Sequence, residues 1–225
     1  MTWMLASVAN LAEARLVAEI GADIVDLKNP AAGALGALPM DEVARIVADL
    51  GGIKPISATI GDLPMEPGVI VPVAAAMAAT GVDFVKIGFF PGGDWSGVID
   101  GLRPLAADGV RMVAVLFGDC APEIPWVAEL AEAGFVGAML DTADKQRGSL
   151  RTVCAPEFPR EFVAEARRCG LLCGLAGSLR AEDVAPLRAL EPDYLGFRGA
   201  LCGGNRVGGI DAEAVRFVLD RMRSL

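Results

Sequence analysis

Histidine is absent from this 225-residue sequence, and lysine is scarce: four residues, against sixteen arginines. The five cysteines (Cys120, Cys154, Cys169, Cys173 and Cys202) include no CxxC pair. Without histidine to complete a ligand set they make no zinc site, and an odd number of thiols reads as reduced, in a cytoplasmic protein. No uninterrupted apolar run reaches the roughly 18 residues that cross a bilayer. The first residues, MTWMLASVANLAEAR, lack a basic n-region and run into a periodic helix, so no signal peptide is read. Basic charge is also short: a net charge of −9 argues against nucleic acid or an anionic membrane as partner. It leaves local phosphate binding open, because backbone amides and one or two arginines can supply it.

What the chain has in abundance is apolar surface, 53% of residues, with a mean hydropathy of +0.46. Parallel strands buried on both faces would absorb that surplus, and an excess at the surface favours a homo-oligomer. The segments WMLASV, DIVDLK, PISATI, DFVKIGF, RMVAVLF, GAMLDT, LCGLAG and YLGFRGA read as strands. Each is followed by a helical pattern. Asn10 caps the first helix and Gly21 stops it, Ser178 is placed as the cap of LRAEDVAPLRAL, EFVAEARRCG forms a helix from residue 161, and Asp211 opens the last helix. Eight strand-then-helix units with no low-complexity linker predict a (β/α)8 barrel over residues 1–225, one domain. A doubly wound open sheet is the rival, but it normally carries a Gly-rich turn after its first strand, where this chain has ASVANLAEA.

The lysines gain meaning in that frame. Lys28 and Lys86 lie at the ends of the second and fourth strands, Lys145 just beyond the sixth; Lys54 reads as an ordinary exposed strand entry. Arg and Lys are interchangeable as surface charge, but only the Lys amine can lose its proton near neutrality and attack a carbonyl. Asp26 lies on the same strand face as Lys28, Asp141 closes the sixth strand, and Gly88 after Lys86 leaves space for a ligand. Active sites of these barrels lie at the C-terminal strand ends, and alternate strands share interior layers. Amines and carboxylates therefore converge on one mouth, an arrangement suited to imine chemistry: neighbouring cations and burial lower a lysine pKa, and carboxylates shuttle protons. No cofactor and no metal is called for.

The seventh and eighth strands supply glycine. GLAGSLR places Gly174, Gly177 and Ser178 at a turn into a helix, and GFRGALCGGNRVGG holds six glycines in fourteen residues, with Arg198 and Arg206. Glycine lets backbone amides approach an anion and arginine adds a forked donor. Gly174, Gly177, Ser178, Arg198, Gly199, Gly203 and Gly204 are the expected phosphate-binding set.

The collinear segments GADIVDLKNPAAGALGA, ISATIGDLP, GVDFVKIGFF, MLDTADK, GLAGSL and LGFRGALCGGNR resemble the (5-formylfuran-3-yl)methyl phosphate synthase family from first strand to last. The resemblance implies a class I aldolase-like lyase that condenses two molecules of glyceraldehyde 3-phosphate, a triose phosphate. The product is 4-(hydroxymethyl)-2-furancarboxaldehyde phosphate, a precursor of methanofuran-type one-carbon carriers. It further implies Lys28 as the Schiff-base lysine, Lys86 as proton acceptor, Asp26 beside the imine, and Asp141 and Lys145 in later proton transfers. Other Schiff-base aldolases, sugar-phosphate isomerases and a non-catalytic phosphate sensor are the competing readings of the same residues.

Overall fold

The computed structural model describes residues 2–224. Eight parallel strands close into a barrel in chain order: β1 (Trp3–Val8), β2 (Ile24–Leu27), β3 (Ile56–Thr59), β4 (Phe84–Phe89), β5 (Met112–Phe117), β6 (Gly137–Asp141), β7 (Leu172–Leu175) and β8 (Tyr194–Phe197). The helices are α1 (Leu11–Ile20), α2 (Met40–Leu50), α3 (Pro67–Ala78), α4 (Trp95–Ala107), α5 (Trp126–Glu132), α6 (Leu150–Val153), α7 (Glu157–Arg168), α8 (Val184–Arg188) and α9 (Ala212–Arg223). β8 returns to pair with β1, Trp3 opposite Tyr194, so the sheet has no free edge.

Side-chain alternation divides the core in two. One set, including Met4, Val25, Ala114 and Leu140, packs under the helices. The other, including Leu5, Ile24, Val113, Val115, Met139 and Tyr194, fills the lumen. β5, MVAVLF, serves both and is buried at every position, which is why it carries no polar residue. Helices present one stripe inward: Val43, Ile46 and Leu50 in α2, and Val215, Val218, Leu219 and Met222 in α9.

The N-terminal ends of the strands are tied by a recurrent device. Asp23, Asp83 and Asp193 each precede a strand and accept the backbone N–H of Met4, Ile56 and Cys173, at 2.8, 2.7 and 2.7 Å. Each carboxylate satisfies a donor at the neighbouring strand's start.

Asn10 and Asp211 cap their helices as expected, accepting from Glu13 N and Ala214 N, and Gly21 ends α1 at φ +112°. Three expectations differ. Ser178 caps no helix: it sits at φ +46°, and α8 begins only at Val184 after a 3₁₀ turn, with Asp183 accepting from Arg180 N. α7 starts at Glu157, four residues early, because Pro159 falls in the first turn, where a missing N–H is harmless. The short α6 (Leu150–Val153) lies between β6 and the helix expected from residue 161, where no helix is expected.

Candidate active site at the C-terminal mouth

A cavity of about 900 Å³ opens at the C-terminal ends of the strands, with Lys28, Lys86, Asp141 and Lys145 along its floor and wall. Behind the cavity wall, Asp26, fully buried, accepts three hydrogen bonds: from Ser7 Oγ at 2.7 Å, Ser57 Oγ at 2.6 Å and Lys86 Nζ at 2.9 Å. Burial alone would raise its pKa, but Lys86, then Lys28 and the two hydroxyls outweigh burial and hold it below the usual carboxylate range. Lys86 is 2% exposed, so neither partner of this ion pair can be removed without stranding the other.

Nearer the rim, Asp141 accepts from Lys145 Nζ at 2.5 Å and from the amide of Thr142 at 2.7 Å. Burial again acts upward, yet Lys145 and Lys28 bring Asp141 down to about 2. Lys28 stands between the two pairs. It is 6% exposed and makes neither a hydrogen bond from its amine nor an ion pair among the described residues. Burial, its largest influence, lowers its pKa from 10.5 to about 8; Asp141 and Asp26 pull upward, and Lys145 and Lys86 push down. The mouth thus holds two paired lysines and one unpaired amine that is partly free base near neutrality.

Two carboxylates that the sequence reading passed over hold the walls in place. Asp62, just after β3, accepts the amides of Ala34 and Leu35, both at 2.7 Å, and so orders the loop that follows Lys28. Gly33, at φ +113°, has no room for a Cβ, which would fall 2.1 Å from Asp62. Asp119, just after β5, accepts the amides of Ala143 and Asp144, both at 2.8 Å, and orders the loop bearing Lys145. The signal was available: Gly-Asp follows both β3 and β5.

The expected phosphate set divides. Gly177, Ser178, Gly199 and Gly204 line the mouth, and Ser178 Oγ donates to the carbonyl of Lys145 at 3.1 Å. Gly174 does not belong to it: its missing side chain is the space taken by the Tyr194 ring, 2.2 Å from where a Cβ would lie. Gly203 closes the 3₁₀ turn Gly199–Cys202 at φ +60°. Arg198 reaches the mouth with its donors already used, on Glu13, Ser7 O, Arg206 O and Gly208 O. It braces the loop and has no N–H left for phosphate. The space above Gly88, expected to admit a ligand, is taken by Leu35 and Phe90.

A profile of the 4-HFC-P synthase family matches residues 4–218. The chain belongs to this family. A Methylorubrum extorquens relative is 42% identical over 225 residues, 98% of this chain and 92% of its own. The (5-formylfuran-3-yl)methyl phosphate synthases of Methanothermobacter thermautotrophicus and Methanocaldococcus jannaschii are 36% and 34% identical, with coverage of 95% of this chain in each case and 95% and 96% of theirs. The protein is therefore an enzyme of the 4-HFC-P synthase family. Among solved structures, phosphoribosyl anthranilate isomerase from Thermotoga maritima superposes with a TM-score of 0.72 at 17% identity, covering 100% of both chains. 3-Hexulose-6-phosphate synthase from Salmonella typhimurium reaches 0.71 at 16%, covering 99% of both. At those identities the likeness is one of barrel fold.

Proposed function

We propose that this enzyme condenses two molecules of glyceraldehyde 3-phosphate into (5-formylfuran-3-yl)methyl phosphate through a Schiff base on Lys28. The observation that carries the reading is the unpaired, buried Lys28 amine, pKa about 8, between two aspartate–lysine pairs. An amine attacks a carbonyl only as free base, and Lys28 alone among the mouth lysines is not held in an ion pair. Addition to the aldehyde gives a carbinolamine; loss of water needs an acid, and Lys86 stands beside the site with a proton held by Asp26. Having given it up, Lys86 is the base for the adjacent carbon, whose proton the imine has acidified. Asp26 steadies the charge that moves between them.

Carbon–carbon bond formation with a second aldehyde, loss of one phosphate and two waters, and hydrolysis of the imine return Lys28 and release the furan. Two triose phosphates less one phosphoric acid and two waters have the composition of the product, so no oxidant or reductant is consumed. Asp141 and Lys145 exchange the protons of the dehydration and elimination steps at the rim. The amides around Gly177–Ser178 and Gly199–Gly204 receive phosphate. The test is incubation with glyceraldehyde 3-phosphate alone and mass spectrometry of the product. A six-carbon, singly phosphorylated furan aldehyde absorbing in the ultraviolet supports the reading; a triose isomer or an unmodified hexulose bisphosphate replaces it with an isomerase or a simple aldolase.

A further inference from the structure

The loop after β8 carries two arginines, and the structure separates their work. Arg198, 8% exposed, donates Nε to the carbonyl of Arg206 at 2.8 Å and Nη2 to that of Gly208 at 2.7 Å. Its remaining donors go to Glu13 of α1 and to the carbonyl of Ser7. Arg198 is a peg that fixes where residues 206–208 stand. Arg206, on that fixed segment, is half-buried and lines the mouth. Its guanidinium makes one hydrogen bond, from Nη2 to the carbonyl of Gly33 at 3.1 Å. That bond carries it over β1 to the loop after Lys28.

Its remaining N–H groups have no protein partner among the described residues. The carboxylates whose charge it feels are Asp141 and Asp62, and both are committed: Asp141 to Lys145 and Thr142, Asp62 to the amides of Ala34 and Leu35. Neither comes within ion-pair distance of Arg206. A partly desolvated guanidinium, fixed in position and left without a counter-charge, suits a planar, bidentate oxyanion. Gly177 and Ser178 lie on the other side of β8, against Thr142 and Lys145, so the mouth offers anions a place on each flank.

We propose that Arg206 is the phosphate-recognising side chain of a subsite on the flank between β8 and β2, where it selects phosphorylated over unphosphorylated aldehydes. The choice of aldehyde rests on the Lys28 imine reading; the anion site does not. The experiment uses the full chain, wild type and Arg206→Gln, with Arg206→Lys as the conservative variant. Borohydride trapping is titrated with glyceraldehyde 3-phosphate and with glyceraldehyde, and the ratio of trapping efficiencies is compared. Arg206→Gln is expected to shrink that ratio at least tenfold, with Arg206→Lys between it and wild type; a ratio within about twofold of wild type overturns the proposal. In parallel, inorganic phosphate is expected to raise the Tm of wild type, because a ligand of the folded state stabilises it, and to raise that of Arg206→Gln much less. An equal rise in both also overturns it. If wild type shows no trapping at all, the imine reading fails while the phosphate arm still decides on Arg206.

Discussion

Apart from the loop carboxylates Asp62 and Asp119, which fasten backbone at the mouth, the aspartates at the two ends of the strands work in opposite ways. At the N-terminal end, Asp23, Asp83 and Asp193 each accept a backbone N–H of the adjoining strand. At the C-terminal end, Asp26 and Asp141 face lysine amines, with Ser7, Ser57 and the Thr142 amide filling their other lone pairs. The first set ties one strand to the next. The second concentrates charge beside an amine that has no partner. A carboxylate bound to backbone is a fastener; one bound to an amine can exchange protons with it. Place along the strand, more than residue type, distinguishes the two.

The contrast is broken most severely at Lys28. Lys28→Arg keeps the charge and removes the usable amine, so product formation should fall by several orders of magnitude and the borohydride mass increment on the Lys28 peptide should vanish, with circular dichroism unchanged. Activity within about tenfold of wild type, about 1.4 kcal/mol of barrier, would show that Lys28 is not the nucleophile.

Lys86→Met should also abolish product, yet leave the Lys28 imine trappable, because water or Asp26 can carry the proton for carbinolamine dehydration, whereas removal of the carbon proton depends on the Lys86 amine. It strands Asp26, fully buried with no cation on it, a change that costs on the order of 3–5 kcal/mol. The double variant Asp26→Asn/Lys86→Met removes both charges and should recover much of that stability without recovering product. Chemical denaturation measures the first quantity and product assays the second. If Lys86→Met unfolds no more readily than wild type, the ion pair contributes little to the fold. If trapping is lost in Lys86→Met alone, the two lysines exchange roles.

The barrel itself was legible because eight repeats of strand period then helix period leave few alternatives, and Asn10, Gly21 and Asp211 mark their ends chemically. The convergence of Lys28, Lys86, Asp26 and Asp141 followed from counting strand ends. Arg198 was misplaced because sequence shows a donor but not its acceptors: Glu13, 185 residues away, lies beside it only after β8 closes against β1. Gly174 was misplaced for the same reason, its neighbour Tyr194 being visible only across the β7–β8 register. Ser178 has the composition of a cap and the backbone of a left-handed turn, and its hydroxyl goes to a carbonyl of another loop.

The next effect is one of pH. Lys28 is lowered to about 8, so its free-base fraction, and with it the trapping rate at saturating borohydride and limiting aldehyde, should climb about tenfold per unit below pH 8 and level off above it. The neighbours predict opposite displacements. Lys145→Met removes a cation that pushes the pKa down, so the midpoint should rise. Asp141→Asn removes an anion that pulls it up, so the midpoint should fall. Equal midpoints in all three proteins would mean that burial alone sets the pKa, and that the rim pair is electrically irrelevant to Lys28.

The smallest effect belongs to the other end of the barrel. Asp83→Ala takes the acceptor from the Ile56 amide at the start of β3 and supplies nothing in exchange. A partly buried N–H left unpaired costs about 1–3 kcal/mol, which for a chain of this size lowers Tm by roughly 2–4 °C per kcal/mol. The amines are a strand length away, and parallel pairing of β3 with β2 and β4 continues beyond the lost bond. Thermal melts should therefore show the loss, while the pH midpoint of trapping and the steady-state kcat at 25 °C stay within about twofold of wild type. A shifted midpoint would mean that the fastener at one end sets the geometry of the amine at the other, and the division of labour between the two ends would no longer hold.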